Sequence, residues 1–230
     1  MSYRGKKLLK IMQNANNYNN FVINLILKSI VDKNFKTLDF GAGYGFFANL
    51  LRKSGVSNIK CVEIDEELSE HCKNLDFFVF KNLHDIENNS YDFIYTLNVL
   101  EHIRDDKAVL LALKAKLKKE GKIFIYVPAF KLLYSSFDKK IRHCRRYKKE
   151  DLIPFLENNG FEILNAKYVD SFGFFLALIY KFINKNDGEI NMLSVKIFDK
   201  ILFPVGRIFD KIIFEKFLGK NLIVEAKLIQ

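Results

Sequence analysis

TLDFGAGYGFF (residues 37–47) runs an apolar stretch containing an acid straight into three alternating glycines, Gly41, Gly43 and Gly45, and then into two phenylalanines. Read locally, it is a strand, a turn nearly bare of side chains, and the start of a helix. Glycine tolerates positive φ and lacks the Cβ that would hold a ligand off the backbone. In an open parallel sheet, such a turn lies at the carboxyl end of its strand, where ligands bind. The stretch predicts an α/β fold with a nucleotide-like ligand against Asp39 to Gly45.

Working outward, the chain alternates between the two periodicities. Ahead of the turn, NFVINLILKSIVDK spaces Phe21, Leu25, Ile26, Ile30 and Val31 as an amphipathic helix. Behind it, FFANLLRKSG reads as a helix closed by Gly55, NIKCVEI as a strand and EELSEHCKNL as a helix. DFFVF and YDFIYTL read as strands, DDKAVLLALKAKLKKEG as a helix closed by Gly121, and KIFIYVP as a strand. EDLIPFLENNG, FEILNAKYV and NLIVEAKLI add a helix and two strands, and Asp151 as a cap makes Pro154 tolerable in the first turn of its helix. This βαβ punctuation predicts a mostly parallel, Rossmann-like sheet of seven strands with helices on both faces. One domain over residues 1–230 is expected, with an N-terminal helical cap (1–34) and a helical insertion (171–219) before the last strand.

Two nucleotide classes compete for the turn. A dinucleotide fingerprint wants a small residue three positions after Gly43, where this chain has Phe46, and Asp39 would set a negative charge near a pyrophosphate. The spacing D-x-G-x-G-x-G resembles the first motif of class I S-adenosylmethionine (SAM) methyltransferases, whose ligand is a cationic sulfonium without phosphate. The resemblance extends to CVEID and SYDFIYTLNVLEHI, similar to that family's second-strand and fourth-strand motifs. It implies SAM as cofactor, with S-adenosylhomocysteine as product. The same resemblance assigns both ribose hydroxyls to Glu63, with Ile64 beside it. Asp65 is the fallback, read first as a helix N-cap. The adenine edge falls to Asn82 or Asp85 in KNLHDI, and Asn98 lines the sulfonium side. Tyr18 either closes over the methionine end or is an ordinary surface tyrosine.

The acceptor side is read from VPAFKLLYSSFDKKIRHCRRYKKEDL, the long connection after the fifth strand. It resembles a D…H-x-R-R-Y signature in a group of class I methyltransferases often encoded with enzymes of capsule and other surface-glycan assembly. Asp138 is positioned to orient His143 as a general base, and Arg145 and Arg146, with Tyr147 and Tyr134, to bind an anionic or sugar-nucleotide acceptor. The alternative is a loop pinned by Arg–carboxylate pairs. Lys148 stands where many relatives place a capping Ser or Thr, which leaves the next helix start open. His102, at the end of the fourth strand, is either catalytic or a capping and supporting residue; His71 and His84 read as solvated.

Thirty-seven basic against 27 acidic residues give a formal charge of +10, which favours anionic partners. RHCRRYKK invites an RNA reading, but no recognition module accompanies it. Cys61, Cys72 and Cys144 form neither a disulfide framework nor a zinc spacing, so a reducing cytoplasm fits. No export signal is read at the start, and the apolar run Ser171–Tyr180 is about half of the roughly 20 residues needed to span a bilayer. The stripe Ile197, Ile201, Val205, Ile208 and Ile212, with Lys200, Arg207, Lys211 and Lys216 elsewhere and a kink at Pro204, is a lid over the core, a membrane-surface helix or a dimer face. The sequence thus predicts a cytoplasmic SAM-dependent methyltransferase, O-methylating a sugar or phosphoryl-type group in surface-polysaccharide biosynthesis, with contact at the inner membrane an open option. An RNA methyltransferase and a non-catalytic SAM-binding protein are the alternatives. No metal is assigned, and oligomeric state is left open.

Overall fold

The computed structural model of the chain describes residues 3, 5–183 and 192–229. Seven strands form one sheet: β1 (Thr37–Phe40), β2 (Ile59–Val62), β3 (Phe78–Phe80), β4 (Tyr91–Leu97), β5 (Leu117–Pro128), β6 (Phe161–Val169) and β7 (Asn221–Leu228). Their spatial order is β3-β2-β1-β4-β5-β7-β6. β1 to β5 pair in parallel, and β7 alone runs antiparallel, between β5 and β6.

All four β1 residues are buried because the strand lies mid-sheet with helices over both faces. Alternate side chains serve the two faces. Leu38, Ile94, Ile123, Ile125 and Val224 pack with Leu110 and Leu113 of α5 (Asp106–Lys116) and with Leu152 and Leu156 of α7 (Lys149–Asn158). Cys61, Phe93, Tyr95, Phe124 and Ile223 pack on the other face against α2 (Asn16–Ser29), α3 (Phe46–Lys53) and α4 (Glu66–Asn74). Each such side chain contributes about 1.5–3 kcal/mol on burial.

Several boundaries differ from expectation. α2 ends at Ser29, so Val31 is 78% exposed rather than on the apolar face. Gly121 does not close α5, which stops at Lys116; the glycine sits within β5, where an added Cβ would lie 2.8 Å from the Lys118 carbonyl. The β4–β5 register shifts there, between Tyr91 and Phe93. Propensity missed the break because Lys and Glu favour helix, whereas pairing with β4 favours strand. α7 starts after Lys148, whose backbone N–H donates to Asp151 Oδ2 at 2.6 Å, and Pro154 falls in its second turn rather than its first. An additional helix, α1 (Lys6–Met12), precedes α2 where the sequence had shown only a basic start. A short helix, α6 (Ser136–Lys140), lies in the connection after β5.

The insertion comprises α8 (Ser171–Ile183), α9 (Met192–Ile197) and α10 (Phe203–Phe209), with π-helical turns at Phe198–Leu202 and Asp210–Phe214. Residues 184–191 of the expected insertion lie outside the described residues. The wide turn just before Pro204 accommodates its missing N–H. Ala15 cannot cap α2 with its side chain, and the insertion supplies the cap instead. Asp199 accepts from the N–H groups of Asn17 (3.1 Å) and Tyr18 (2.8 Å). A carboxylate at a helix N-terminus satisfies free donors and complements the dipole. Asp199→Ala is accordingly expected to lower stability by about 1–2 kcal/mol in urea unfolding; an unchanged midpoint would show that the cap carries no weight.

Candidate active site

The glycine turn is fixed from behind and left bare in front. Gly41 and Ala42 N–H groups both donate to the Val62 carbonyl, at 2.9 and 3.1 Å, which brings the end of β1 against the end of β2. Gly41 has φ +83°, and a Cβ there would lie 2.3 Å from Val99 Cγ2, so no side chain fits. Gly43, at φ +56°, faces outward, where the nearest atom to such a Cβ is Leu9 Cδ1 at 3.3 Å. The N-terminal segment therefore lies across the turn. Lys6 Nζ reaches Asp65 and Glu67 at 2.8 and 2.7 Å, and the Tyr3 N–H donates to Asp65 at 2.8 Å.

Glu63 accepts from the Gly43 N–H at 2.8 Å and the Asp65 N–H at 2.9 Å. Burial pushes its carboxyl up, and these backbone bonds work against that rise. A carboxylate has about four lone-pair sites, so two acceptor positions remain for vicinal hydroxyls. Ile64 beside it is 64% exposed and offers an apolar surface to a base. Asp65 is the N-cap of α4, accepting from the Leu68 N–H at 3.2 Å, as its first reading had it. Asp39 is buried and accepts from the Tyr95 hydroxyl at 2.7 Å; burial raises its carboxyl to about 7. Asn82 and Asp85 are exposed around a short 3-10 turn after β3, on the same edge of the sheet. Asn98 is exposed at φ +54° after β4. A bare turn, a partly free acid and an apolar residue at the strand ends suit a nucleoside carrying a cationic tail. The Tyr18 hydroxyl bonds that of Tyr126 at 2.8 Å, and its ring packs on Phe203 of the insertion.

The connection after β5 leaves the sheet and returns to it. Ala129 and Tyr147 form an isolated bridge, and the Cys144 N–H bonds the Glu101 carbonyl. Within it, Asp138 is fully buried; its Oδ1 accepts from His143 Nδ1 at 2.7 Å and Arg146 Nε at 3.0 Å, and its Oδ2 from Arg146 Nη2 at 3.1 Å. Burial opposes the charge, but these partners hold the carboxyl down at about 2. His143 Nε2 points toward Glu101 Oε1, 3.8 Å away, and the His143 ring meets His102 edge-on at 4.5 Å. Burial, helped by His143, lowers His102 to about 4, and burial raises Glu101 to about 8.

The expected acceptor-binding pair is instead structural. Arg146 is committed to Asp138 and the Ala129 carbonyl with 7% of its side chain exposed, and Arg145 bonds Asp106 and the Arg104 carbonyl. Tyr147 is buried with its hydroxyl on Asp106 at 2.8 Å, and Tyr134 donates to the His143 carbonyl at 2.7 Å. These four side chains shape the loop, because a buried carboxylate claims each guanidinium before a ligand can. Sequence reasoning missed Asp106 and Glu101. The first gives no local signal, but the second stands beside His102 at a strand end, and that adjacency was legible. His84 is exposed, and His71, although exposed, bonds the Tyr44 carbonyl through Nδ1.

The fold has relatives among solved structures. A SAM-dependent methyltransferase from Archaeoglobus fulgidus superposes with TM-score 0.59 at 21% identity, over 91% of this chain and 94% of the other. One from Mesorhizobium loti gives 0.57 at 13%, over 88% and 95%. The cyclase SpnF also superposes, at 0.61 and 15% over 90% and 79%, so architecture alone does not name the reaction. No curated protein matches the chain in sequence. The family model described as a methyltransferase domain matches residues 8–166, more than half of the chain, and spans the glycine turn, Glu63 and the His143 loop. The chain belongs to that family and is a class I SAM-dependent methyltransferase.

Proposed function

We propose that the enzyme O-methylates a hydroxyl of a small, carbohydrate-linked acceptor in surface-polysaccharide biosynthesis. Glu63, Ile64, Asp39 and the glycine turn hold the cofactor, with Asn82 or Asp85 at the base. When bound, SAM supplies an electrophilic methyl on a sulfonium leaving group. Alignment of the acceptor therefore provides most of the rate, and a hydroxyl must also shed its proton as its oxygen attacks.

The observation that carries this reading is the Asp138–His143 pair. Asp138 holds the Nδ1 proton, so Nε2 presents its lone pair toward Glu101 and His102 at the carboxyl ends of β4 and β5. A carboxylate acceptor, already ionised at neutral pH, would not need a basic group so arranged. The glycan context is supported by the D…H-x-R-R-Y resemblance. RNA is disfavoured because Arg145 and Arg146, two of the three arginines of RHCRRYKK, are bonded to Asp106 and Asp138 of the chain itself. Incubation with labelled SAM and panels of nucleotide-activated sugars, sugar phosphates and RNA tests the reading. Label is expected in the small acceptors, with His143→Ala lowering kcat by about 10²- to 10⁴-fold at unchanged cofactor affinity. Label in RNA alone, or a wild-type kcat in the variant, would overturn it.

We further propose that the insertion rests on an anionic membrane surface. Ile197, Ile201, Val205, Ile208 and Ile212 are 47, 59, 43, 60 and 73% exposed, so the stripe is not a cover for the core. Lys196, Lys200, Lys211 and Lys216 are exposed around it, which suits acidic headgroups beneath an apolar face. No helix among the described residues is long and apolar enough to cross a membrane. Co-sedimentation with phosphatidylglycerol vesicles is expected, weaker with neutral vesicles and lost in Ile201→Glu/Ile208→Glu. Equal recovery with and without vesicles, or a dimer that the double variant dissolves, would contradict this.

A further inference from the structure

Glu101 is fully buried in the 3-10 turn after β4, yet neither carboxylate oxygen has a hydrogen-bond partner among the described residues. Leaving such a group unpaired costs several kcal/mol, so an orphan of this kind calls for an occupant. Two imidazoles face it. His102 is next in sequence, and His143 is brought across by the returning loop, anchored by the Cys144 N–H on the Glu101 carbonyl. One ligand atom from each of Glu101, His102 and His143 lies within 4.8 Å of the other two.

We propose that Glu101, His102 and His143 form a binding site for a divalent first-row cation of the Zn2+ type, with one coordination position open to the acceptor. The donor set, one carboxylate and two imidazoles, suits borderline ions and matches the three-ligand composition of catalytic rather than closed structural sites. Metal bonds of about 2.0–2.2 Å place neighbouring ligand atoms roughly 3.5 Å apart. The 3.8 Å between His143 Nε2 and Glu101 Oε1 is close to that, and the His102 donor lies within 4.8 Å of both.

The surroundings are those of a metal site. Asp138 accepts a hydrogen bond from the Nδ1–H of His143, fixing the tautomer whose Nε2 can ligate, and Arg146 and the Ser135 N–H hold Asp138 in turn. A carboxylate behind a ligating histidine is the usual orienting arrangement. The Tyr3 hydroxyl, 3.5 Å from His102 Nε2, marks the side that the N-terminal segment covers. For catalysis the inference rests on the O-methylation reading: a hydroxyl on the open position would lose its proton to water near neutral pH, because the cation stabilises the alkoxide. With the cation bound, the His143 lone pair is engaged as a ligand, and the ion replaces it as the group that promotes loss of the acceptor's proton.

The test is calorimetric titration of chelator-treated protein with Zn2+, followed by Mn2+ and Mg2+, alongside S-adenosylhomocysteine. One Zn2+ per chain is expected, bound more tightly than Mg2+. Glu101→Gln and His143→Asn should weaken it at least 10- to 100-fold and Asp138→Asn to a lesser degree, with S-adenosylhomocysteine affinity retained. His71→Ala/His84→Ala should bind Zn2+ as wild type does. Circular dichroism verifies folding, and His102→Asn replaces any variant that does not fold. No uptake at millimolar Zn2+, wild-type affinity in Glu101→Gln, or loss of Zn2+ in the His71/His84 variant would overturn the site. Zn2+ binding without S-adenosylhomocysteine binding would instead count against the methyltransferase reading and leave the cation site standing.

Discussion

The Glu63 carboxylate, accepting from both the Gly43 and Asp65 N–H groups, is the contact on which the geometry of the glycine turn depends. It stands at the end of β2 and fastens the glycine turn of β1 to the start of α4. Asp65, held in this way, caps α4 and receives Lys6 and the Tyr3 N–H, so the N-terminal segment is drawn over the same turn. One buried acid thus shapes the glycine turn, faces it and positions the segment that covers it. The arrangement costs stability, since burial disfavours the charged carboxylate. Binding sites commonly retain such costs, because the unsatisfied capacity is what a ligand meets.

A second buried acid organises the connection after β5. Asp138 gathers His143, Arg146 and the Ser135 N–H, and so sets the shape of the connection between Ala129 and Tyr147. Two guanidiniums that looked like ligand binders are consumed in building that loop. What remains beside it is the cluster of Glu101, His102 and His143, whose ligand atoms lie within 4.8 Å of one another. Motif chemistry read from sequence identifies which side chains are special. It does not say whether their partners are a ligand or another part of the chain, because the partner carboxylates, Asp106 and Asp138, are chosen by tertiary packing.

The strand-turn-helix logic around Asp39–Gly45 was legible because it is local: period, glycine spacing and the following helix all agree. The seven strands and the insertion before β7 followed from the same alternation. The misses share a cause. α1 and the end of α5 depend on what lies against them rather than on propensity, and the cap of α2 comes from Asp199, over 180 residues away. The apolar stripe of the insertion was visible in the sequence, but its exposure was not, since periodicity marks an apolar face without saying what covers it.

The central claim is that the glycine turn and Glu63 form a SAM site rather than a dinucleotide site. Isothermal titration of the wild type and Glu63→Gln with S-adenosylhomocysteine and with NADH tests it most directly. The account predicts that S-adenosylhomocysteine binds, that NADH does not, and that Glu63→Gln weakens binding by about 1.5–3 kcal/mol, the scale of hydrogen bonds to a charged group. NADH binding without a response to S-adenosylhomocysteine, or full affinity in Glu63→Gln, would contradict it.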